Sequence, residues 1–197
     1  MKVIRWKDHQ ERGTMKSTVR IKEKFFEPMI SEQEIMDEVD RVALRINIDY
    51  KGKDPLFLCI LNGSFVFAAD LLRRIQIPCR VSFVRYASYS GTSSTQYVRN
   101  LIGLGEDLSG QDVIIVEDII DTGLTMSFLL KELAGKAPAS VKIAALFFKK
   151  DAFRAGFAID YLGRVVPDKF IIGYGLDYDG YGRNLKGIYQ LSKTEKK

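Results

Sequence analysis

Residues 113–125 read Val-Ile-Ile-Val-Glu-Asp-Ile-Ile-Asp-Thr-Gly-Leu-Thr, and this stretch decides the predicted fold. Its apolar, β-branched start is typical of a buried strand. Two adjacent acids, two apolar residues and a small polar turn follow, and residues 126–133 are then apolar at helical spacing. The order of strand, acidic end, loop and helix is typical of the carboxyl end of a parallel strand in an α/β sheet, where ligands commonly bind.

The loop that opens this helix offers the groups that a phosphate needs. The first turn of a helix presents unpaired backbone N–H groups at the positive end of its dipole. Gly123 allows the backbone to approach a ligand closely, and Thr122 and Thr125 add hydroxyl donors. The loop is therefore a candidate phosphate site.

Three carboxylates accompany this loop, at Glu117, Asp118 and Asp121. A site for a bare phosphate would not gather three negative charges, whereas sugar hydroxyls and a hard cation such as Mg²⁺ are suitable partners for carboxylates. The residues therefore predict a phosphorylated sugar as the ligand, together with Mg²⁺. The structural alternative is a strand followed by a helix that is capped by Asp121 or Thr122, but such a cap does not require the adjacent acids.

Length and composition limit the class of protein. A chain of 197 residues is expected to form one domain with a sizeable core. No apolar stretch approaches the length of a membrane span, and the N-terminus lacks the apolar core of a signal peptide. Cys59 and Cys79 both lie in apolar runs, as buried free thiols in a reducing compartment would. We therefore expect a cytoplasmic protein that has no membrane partner.

The basic charge is confined to one end of the chain. Residues 1–24 carry eight basic and three acidic side chains, and the other 173 residues carry 22 of each sign. A basic arm is commonly just solvated, so we do not expect nucleic acid as a partner. The alternative is that the arm binds RNA. We expect a basic arm over residues 1–16, outside the folded domain, and a frayed tail over residues 194–197. His9, the one histidine, lies in the arm, which argues against Ser-His or Cys-His catalysis.

Two helices are indicated before the central stretch. Ser31-Glu32-Gln33-Glu34 predicts a capping box at the start of the first. An apolar strand over residues 56–61 then runs into Asn62-Gly63-Ser64 and a second helix, which extends to about Arg74 with a hydroxyl cap. The strand, glycine turn and helix repeat the central design, so this turn is either a second anion site or an ordinary connection.

The remaining segments are a strand over residues 80–86, a short strand over 100–105 and a buried strand over 141–148 that ends at Lys149-Lys150. Between the first two, residues 87–96 are small, polar and glycine-bearing, which predicts a mobile loop that is either a lid or a segment without function. Residues 166–185 are rich in Gly and Tyr and are too irregular for one long helix.

Residues 113–125 closely resemble the 5-phosphoribosyl diphosphate (PRPP) signature of the type I phosphoribosyltransferases at all thirteen positions. The hypoxanthine phosphoribosyltransferase family has similar segments in the same order along the chain, which correspond here to residues 61–65, 88–89, 149 and 166–185. The similarity spans roughly residues 17–193. It implies a mainly parallel central sheet flanked by helices, in a single domain. It further implies a small hood subdomain from residues 17–30 and 166–193, and a flexible lid over about 87–98 that contains Ser88 and Tyr89.

The resemblance also assigns roles to residues that bind PRPP and pyrophosphate. The PRPP and phosphate contacts fall on Glu117, Asp118, Asp121, Thr122, Gly123, Leu124 and Thr125. The pyrophosphate contacts fall on Leu61, Asn62, Gly63 and Arg183. Position 62 is often Lys or Arg in the family, so here backbone N–H groups would carry the contact. In the family the peptide bond before this position can be cis.

Purine recognition and chemistry are implied in the same way. Purine contacts are assigned to Lys149, Phe170, Ile171 and Asp177, and Mg²⁺ to Asp177, Glu117 and Asp118. The catalytic residues would be Asp121, as the base that takes a proton from the purine, and Lys149, which would polarise the purine oxygen. Lys150 would be a solvated neighbour.

The activity that the resemblance implies is transfer of the 5-phosphoribosyl group from PRPP to hypoxanthine, and to guanine, with release of pyrophosphate. It also implies a homodimer or homotetramer. One alternative is a phosphoribosyltransferase for another base, such as xanthine. A second is a nucleotide-sensing RNA regulator on the same scaffold, for which the basic arm is the only support.

Overall fold

The computed structural model describes residues 18–89, 97–102, 105 and 107–192. The predicted basic arm, the predicted tail and the polar residues 90–96 lie outside the described residues. Within the described ranges, no helix combines the length and the apolar character that crossing a bilayer requires.

Three helices and ten strands make up the described chain. In order they are β1 (Val19–Ile21), β2 (Lys24–Ile30), α1 (Glu32–Asp49), β3 (Leu56–Leu61), α2 (Phe65–Leu72), β4 (Arg80–Tyr89), β5 (Tyr97–Ile102), β6 (Asp112–Ile120), α3 (Leu124–Ala134), β7 (Ser140–Phe148), β8 (Tyr161–Val165), β9 (Ile171–Ile172) and β10 (Ile188–Leu191). They belong to two compact units, one over Glu38–Asp168 and one formed by the described residues up to Asp37 and from Lys169 onward.

The larger unit is built on a six-stranded sheet in the order β5-β4-β3-β6-β7-β8. Five of these strands, from β4 to β8 in this order, pair in parallel. The edge strand β5 pairs antiparallel with β4. The strands β3, β6 and β7 are nearly continuous apolar runs, as is typical of parallel strands that are covered on both faces. The prediction of a mainly parallel central sheet flanked by helices is confirmed.

A buried cluster connects the central strand to the helix that follows it. Val113 and Ile115 of β6 are fully buried, as are Leu129 and Leu133 of α3, with Leu56, Leu58 and Met126 in the same cluster. Burying side chains of this size stabilises a fold by about 1.5–3 kcal/mol each. This cluster fixes the position of α3 against the sheet, and therefore the position of the loop between β6 and α3.

Strand register brings the carboxyl ends of the central strands together. Ile120, the last residue of β6, pairs with Phe148, the last residue of β7. The next residues along the chain, Asp121 and Lys149, consequently lie at the same edge of the sheet. On the other side, β6 pairs with β3, whose carboxyl end leads into the loop that contains Gly63.

The smaller unit is an antiparallel sheet in the order β1-β2-β10-β9, made from both ends of the described chain. Its core contains Val19, Ile21, Phe26, Ile172, Leu185 and Tyr189. At its start, β1 and β2 form a hairpin whose turn has Lys22 at a φ of 53°. The strands β8, β9 and β10 are short and were not predicted.

Several predicted boundaries were wrong. β4 continues to Tyr89, and the backbone of Ser88 pairs with that of Val98, so the start of the expected mobile loop lies in a strand ladder. α2 ends at Leu72 rather than near Arg74. The Ser64 side chain does not cap α2, because its hydroxyl donates to the Ile60 carbonyl at 2.6 Å.

The two cysteines differ in their surroundings. Cys59, in the middle of β3, is fully buried, and burial together with the nearby charge of Glu117 raises the pKa of its thiol to about 12. Cys79 is only partly buried, because it lies in the connection that precedes β4, so its prediction as a buried thiol was wrong. Both cysteines are free.

The predicted capping box at the start of α1 is confirmed. The Glu34 backbone N–H donates to the Ser31 hydroxyl at 3.2 Å, and the Ser31 backbone N–H donates to the Glu34 carboxylate at 2.9 Å. Ser31→Ala should lower the free energy of unfolding by about 1 kcal/mol, because the first of these bonds is lost. Urea denaturation measures the change. Ser109→Ala, in an exposed turn, is the control and should change stability by less than about 0.5 kcal/mol; an equal loss in both variants would contradict this role for Ser31.

Candidate active site

A cavity of about 260 Å³ opens where β6 ends and α3 begins. Its lining consists of residues 117–126 with Ile60 and Tyr86. The structure therefore brings together the full set of predicted PRPP contacts, which are Glu117, Asp118, Asp121, Thr122, Gly123, Leu124 and Thr125. Sequence reasoning missed Ile60 and Tyr86, which enter the lining from the neighbouring strands β3 and β4.

Gly123 sets the shape of the loop. It is the N-cap of α3 with a φ of 84°, in the left-handed region that glycine adopts most readily. A Cβ at this position would lie 2.7 Å from the Phe153 ring and 2.8 Å from the Ala155 side chain, so the loop also packs too closely for any side chain. The N-cap position belongs to Gly123 and not to Asp121 or Thr122, although the Leu124 backbone N–H donates to the Thr122 hydroxyl at 3.4 Å. The backbone N–H groups in the first turn of α3 therefore lie at the cavity.

The acidic pair occupies the floor of the cavity. Asp118 is only 6% exposed and Glu117 is partly buried. Burial raises the pKa of Glu117 well above its ordinary value, and the negative charge of Asp118 beside it adds to the increase. Two carboxylates in this position favour a ligand that donates hydrogen bonds or carries positive charge, as sugar hydroxyls and a divalent cation do.

The loop after β3 contacts this acidic pair. The Leu61–Asn62 peptide bond is cis, and Asn62 is exposed at the surface. A Cβ on Gly63 would lie 1.9 Å from the Oδ2 atom of Asp118, so the backbone at Gly63 lies directly against that carboxylate. The predicted pyrophosphate loop and the predicted sugar-binding acids, which are more than 50 residues apart in the sequence, are thus neighbours.

Lys149 lies between two carboxylates beside the cavity. Its ammonium nitrogen is 3.0 Å from Asp121 Oδ2 and 3.5 Å from Asp168 Oδ1. Lys149 is only 8% exposed, whereas Lys150 is exposed, as expected of a solvated neighbour. The structure therefore joins the two predicted catalytic residues as an ion pair. Asp168 was assigned no role from the sequence.

Four of the predicted site residues belong to the smaller unit. Phe170 is 44% exposed, and its ring meets that of Tyr178 edge-on at 5.9 Å between centroids. Ile171 is 6% exposed and begins β9. The Arg183 guanidinium is 2.7 Å from the Asp177 carboxylate and also donates to the Gly175 carbonyl. The predicted pyrophosphate and Mg²⁺ ligands of this unit are thus paired with one another.

The predicted lid residues Ser88 and Tyr89 have their backbone in β4, and their side chains lie outside the described residues. Among the side chains that are described, no three or more His, Cys, Asp or Glu form a cluster able to hold a metal ion. Mg²⁺ commonly uses only one or two carboxylates and takes its other ligands from water and substrate phosphates. The acidic pair therefore has the donor set of a partial Mg²⁺ site that a diphosphate would complete.

Comparison with known proteins agrees with the geometry. Residues 29–179 match the phosphoribosyl transferase domain family. A hypoxanthine-guanine phosphoribosyltransferase of Mycobacterium tuberculosis is 38% identical over 170 residues, which are 83% of this chain and 84% of that protein. The hypoxanthine-guanine phosphoribosyltransferase of Mus musculus is 40% identical over 174 residues, which are 82% of this chain and 79% of that protein.

Solved structures give the same result. A crystal structure of a hypoxanthine-guanine phosphoribosyltransferase from Bacillus anthracis superposes with a TM-score of 0.80 at 35% identity, covering 84% of this chain and 98% of that one. A hypoxanthine phosphoribosyl transferase from Trypanosoma cruzi, studied for the role of its C-terminal region in oligomeric state and activity, gives 0.80 at 36% identity, with 88% and 94% covered. The family predicted from the sequence is confirmed: this chain belongs to the hypoxanthine-guanine phosphoribosyltransferases, within the phosphoribosyl transferase domain family.

Proposed function

We propose that this protein transfers the 5-phosphoribosyl group of PRPP to hypoxanthine, and to guanine, giving IMP or GMP and pyrophosphate in purine salvage. One observation carries the proposal: a phosphate-type loop, an acidic pair and the Lys149–Asp121 ion pair meet at one cavity edge. That combination suits a ligand with a phosphate, a sugar and a polar base. Membership of the family supports the same reaction.

The reaction is a displacement at the anomeric carbon of the ribose. A purine nitrogen forms the new bond to this carbon, and the bond from the carbon to the pyrophosphate oxygen breaks. Because the sugar develops positive charge in an oxocarbenium-like transition state, carboxylates close to the ring favour it electrostatically. Glu117 and Asp118 supply that field, while the loop at residues 121–125 holds the 5′-phosphate on the first N–H groups of α3.

Asp121 and Lys149 act on different atoms of the purine. Asp121 accepts the proton that the attacking nitrogen gives up, and Lys149 donates a hydrogen bond to the oxygen at carbon 6 of the base. Their separation of 3.0 Å supports these paired roles, because the carboxylate and the ammonium can reach adjacent atoms of one base. Phe170 stacks on the purine, and Ile171 contacts its edge through backbone groups.

The leaving pyrophosphate needs donors and positive charge. Backbone N–H groups of the loop at residues 61–63 and the guanidinium of Arg183 provide them. Glu117, Asp118 and Asp177 would hold Mg²⁺, which neutralises charge on the diphosphate when it is bound. We further propose that residues 17–30 and 166–193 form a hood, that Ser88 and Tyr89 belong to a lid over about 87–98, and that the protein is a cytoplasmic homodimer or homotetramer.

A panel of nucleobases with PRPP and Mg²⁺ tests the proposed function directly. Hypoxanthine and guanine should release pyrophosphate, whereas uracil and orotate should not, because only a 6-oxopurine matches both Lys149 and Asp121. Pyrophosphate release is followed with a coupled enzymatic assay. Turnover of a pyrimidine alone, or of no base at all, would contradict the proposal.

Replacement of the proposed base tests its part in proton transfer. Asp121→Asn should lower kcat by about 10²-fold, since the amide keeps the shape of the side chain but cannot accept the proton. Steady-state kinetics with hypoxanthine measure the effect. Asp54→Asn, an exposed carboxylate in the turn before β3, is the matched control and should keep normal turnover. Near-normal kcat in Asp121→Asn would remove Asp121 from this role.

Contact between Gly63 and Asp118 predicts that these two motifs act together. Gly63→Ala should reduce kcat/KM for PRPP by about 10²-fold, because the added methyl group displaces either the loop or the carboxylate. Gly156→Ala is the control, since a Cβ there meets nothing within 4 Å. Circular dichroism checks that both variants are folded. Equal activity in the two variants would show that the close approach at Gly63 has no catalytic importance.

A further inference from the structure

Three charged groups meet at the carboxyl ends of three adjacent strands. Asp121 follows β6, Lys149 follows β7, and Asp168 lies three residues after the end of β8. The Val166 backbone N–H donates to the Phe148 carbonyl at 2.9 Å, which holds the segment after β8 beside the end of β7. The Lys149 backbone N–H in turn donates to the Ile120 carbonyl at 2.9 Å. Backbone hydrogen bonds therefore place both carboxylates next to Lys149.

The ion pair between Asp121 and Lys149 places the two groups side by side, but it must loosen when both of them turn to a purine. To accept a proton from the base, Asp121 must direct its carboxylate at the purine, and Lys149 must direct its ammonium at the purine oxygen. Each then gives up part of its contact with the other. For a lysine that is only 8% exposed, the loss of its counter-charge would be unfavourable.

Asp168 can supply the negative charge that Lys149 loses when Asp121 turns to the purine. Its Oδ1 atom is 3.5 Å from the Lys149 ammonium, slightly farther than the 3.0 Å of Asp121, so the contact exists already and is the weaker of the two. The Asp168 side chain is 57% exposed, so protein packing restricts it little. A lysine between one near and one more distant carboxylate can exchange partners without passing through an unpaired state.

We propose that Asp168 is a positioning residue for the reaction: it holds the Lys149 ammonium when a 6-oxopurine engages Asp121, and so directs Lys149 at the oxygen on carbon 6. This inference rests on the proposed function. Asp168 acts through Lys149 and needs no contact with the base. Without Asp168, Lys149 pairs more completely with Asp121, and its ammonium is withdrawn from the oxygen on carbon 6.

The test compares two ligands that differ at carbon 6. IMP carries the oxygen that Lys149 contacts, and purine ribonucleoside 5′-monophosphate lacks it. Isothermal titration calorimetry gives the affinity of each for the wild type, for Asp168→Asn and for Asp168→Glu. Asp151→Asn is the matched control, because it is an exposed carboxylate in the loop directly after Lys149.

Asp168→Asn should weaken IMP binding by roughly three- to tenfold, a modest change because the ion pair is partly exposed to solvent. Binding of the nucleotide without the oxygen, and the KM for PRPP, should stay unchanged. Asp168→Glu should restore part of the affinity for IMP, and Asp151→Asn should behave as the wild type for both ligands.

An equal loss for both nucleotides in Asp168→Asn would show a general structural role and overturn the inference, as would unchanged IMP binding. These outcomes differ from a failure of the proposed function. If the wild type bound neither nucleotide, the proposed function itself would fall, and the role of Asp168 with it. If the wild type bound IMP normally and only the predicted difference was missing, the inference alone would be wrong.

Discussion

The register between β6 and its two neighbours is the constraint on which the rest of the site depends. Parallel pairing in register forces the strands to end at one edge of the sheet, so the loops that follow them must be neighbours. Pairing of Ile120 with Phe148 brings Asp121 to Lys149, and pairing of β6 with β3 brings Asp118 to Gly63. A shift of one residue in either pairing would reverse the faces of the side chains and separate these groups.

Buried charged groups at this edge of the sheet lower the stability of the fold, and other interactions have to offset that loss. Glu117 and Asp118 are adjacent and at least partly buried, and burial together with their mutual repulsion raises the pKa of Glu117. Lys149 is almost buried and is paired with two carboxylates. Perturbed titratable groups in a cavity are typical of functional sites. The large apolar cluster beneath them, including Ile115 and Leu129, holds the backbone that carries these groups.

Sequence patterns predicted the elements whose signal is local and long enough to read. The apolar runs that became β3, β6 and β7 were found because buried parallel strands have few polar positions, and the start of α1 was found from its capping box. Patterns failed where an element is short or depends on a distant partner. β9 has only two residues and pairs with β10, near the end of the described chain, so no local period could mark it.

The sequence by itself determined the chemistry of the site and the family. Thirteen consecutive residues specify an acidic strand end, a glycine turn and a helix start, because each of these needs particular side chains at fixed spacing. Only the tertiary structure decided which distant residues join them. The contact of Gly63 with Asp118 and the place of Asp168 beside Lys149 follow from strand order and register, and these arise from pairing between segments far apart in the chain. Residue spacing along one segment carries no information about such pairing, and so these contacts had to be observed in the folded protein.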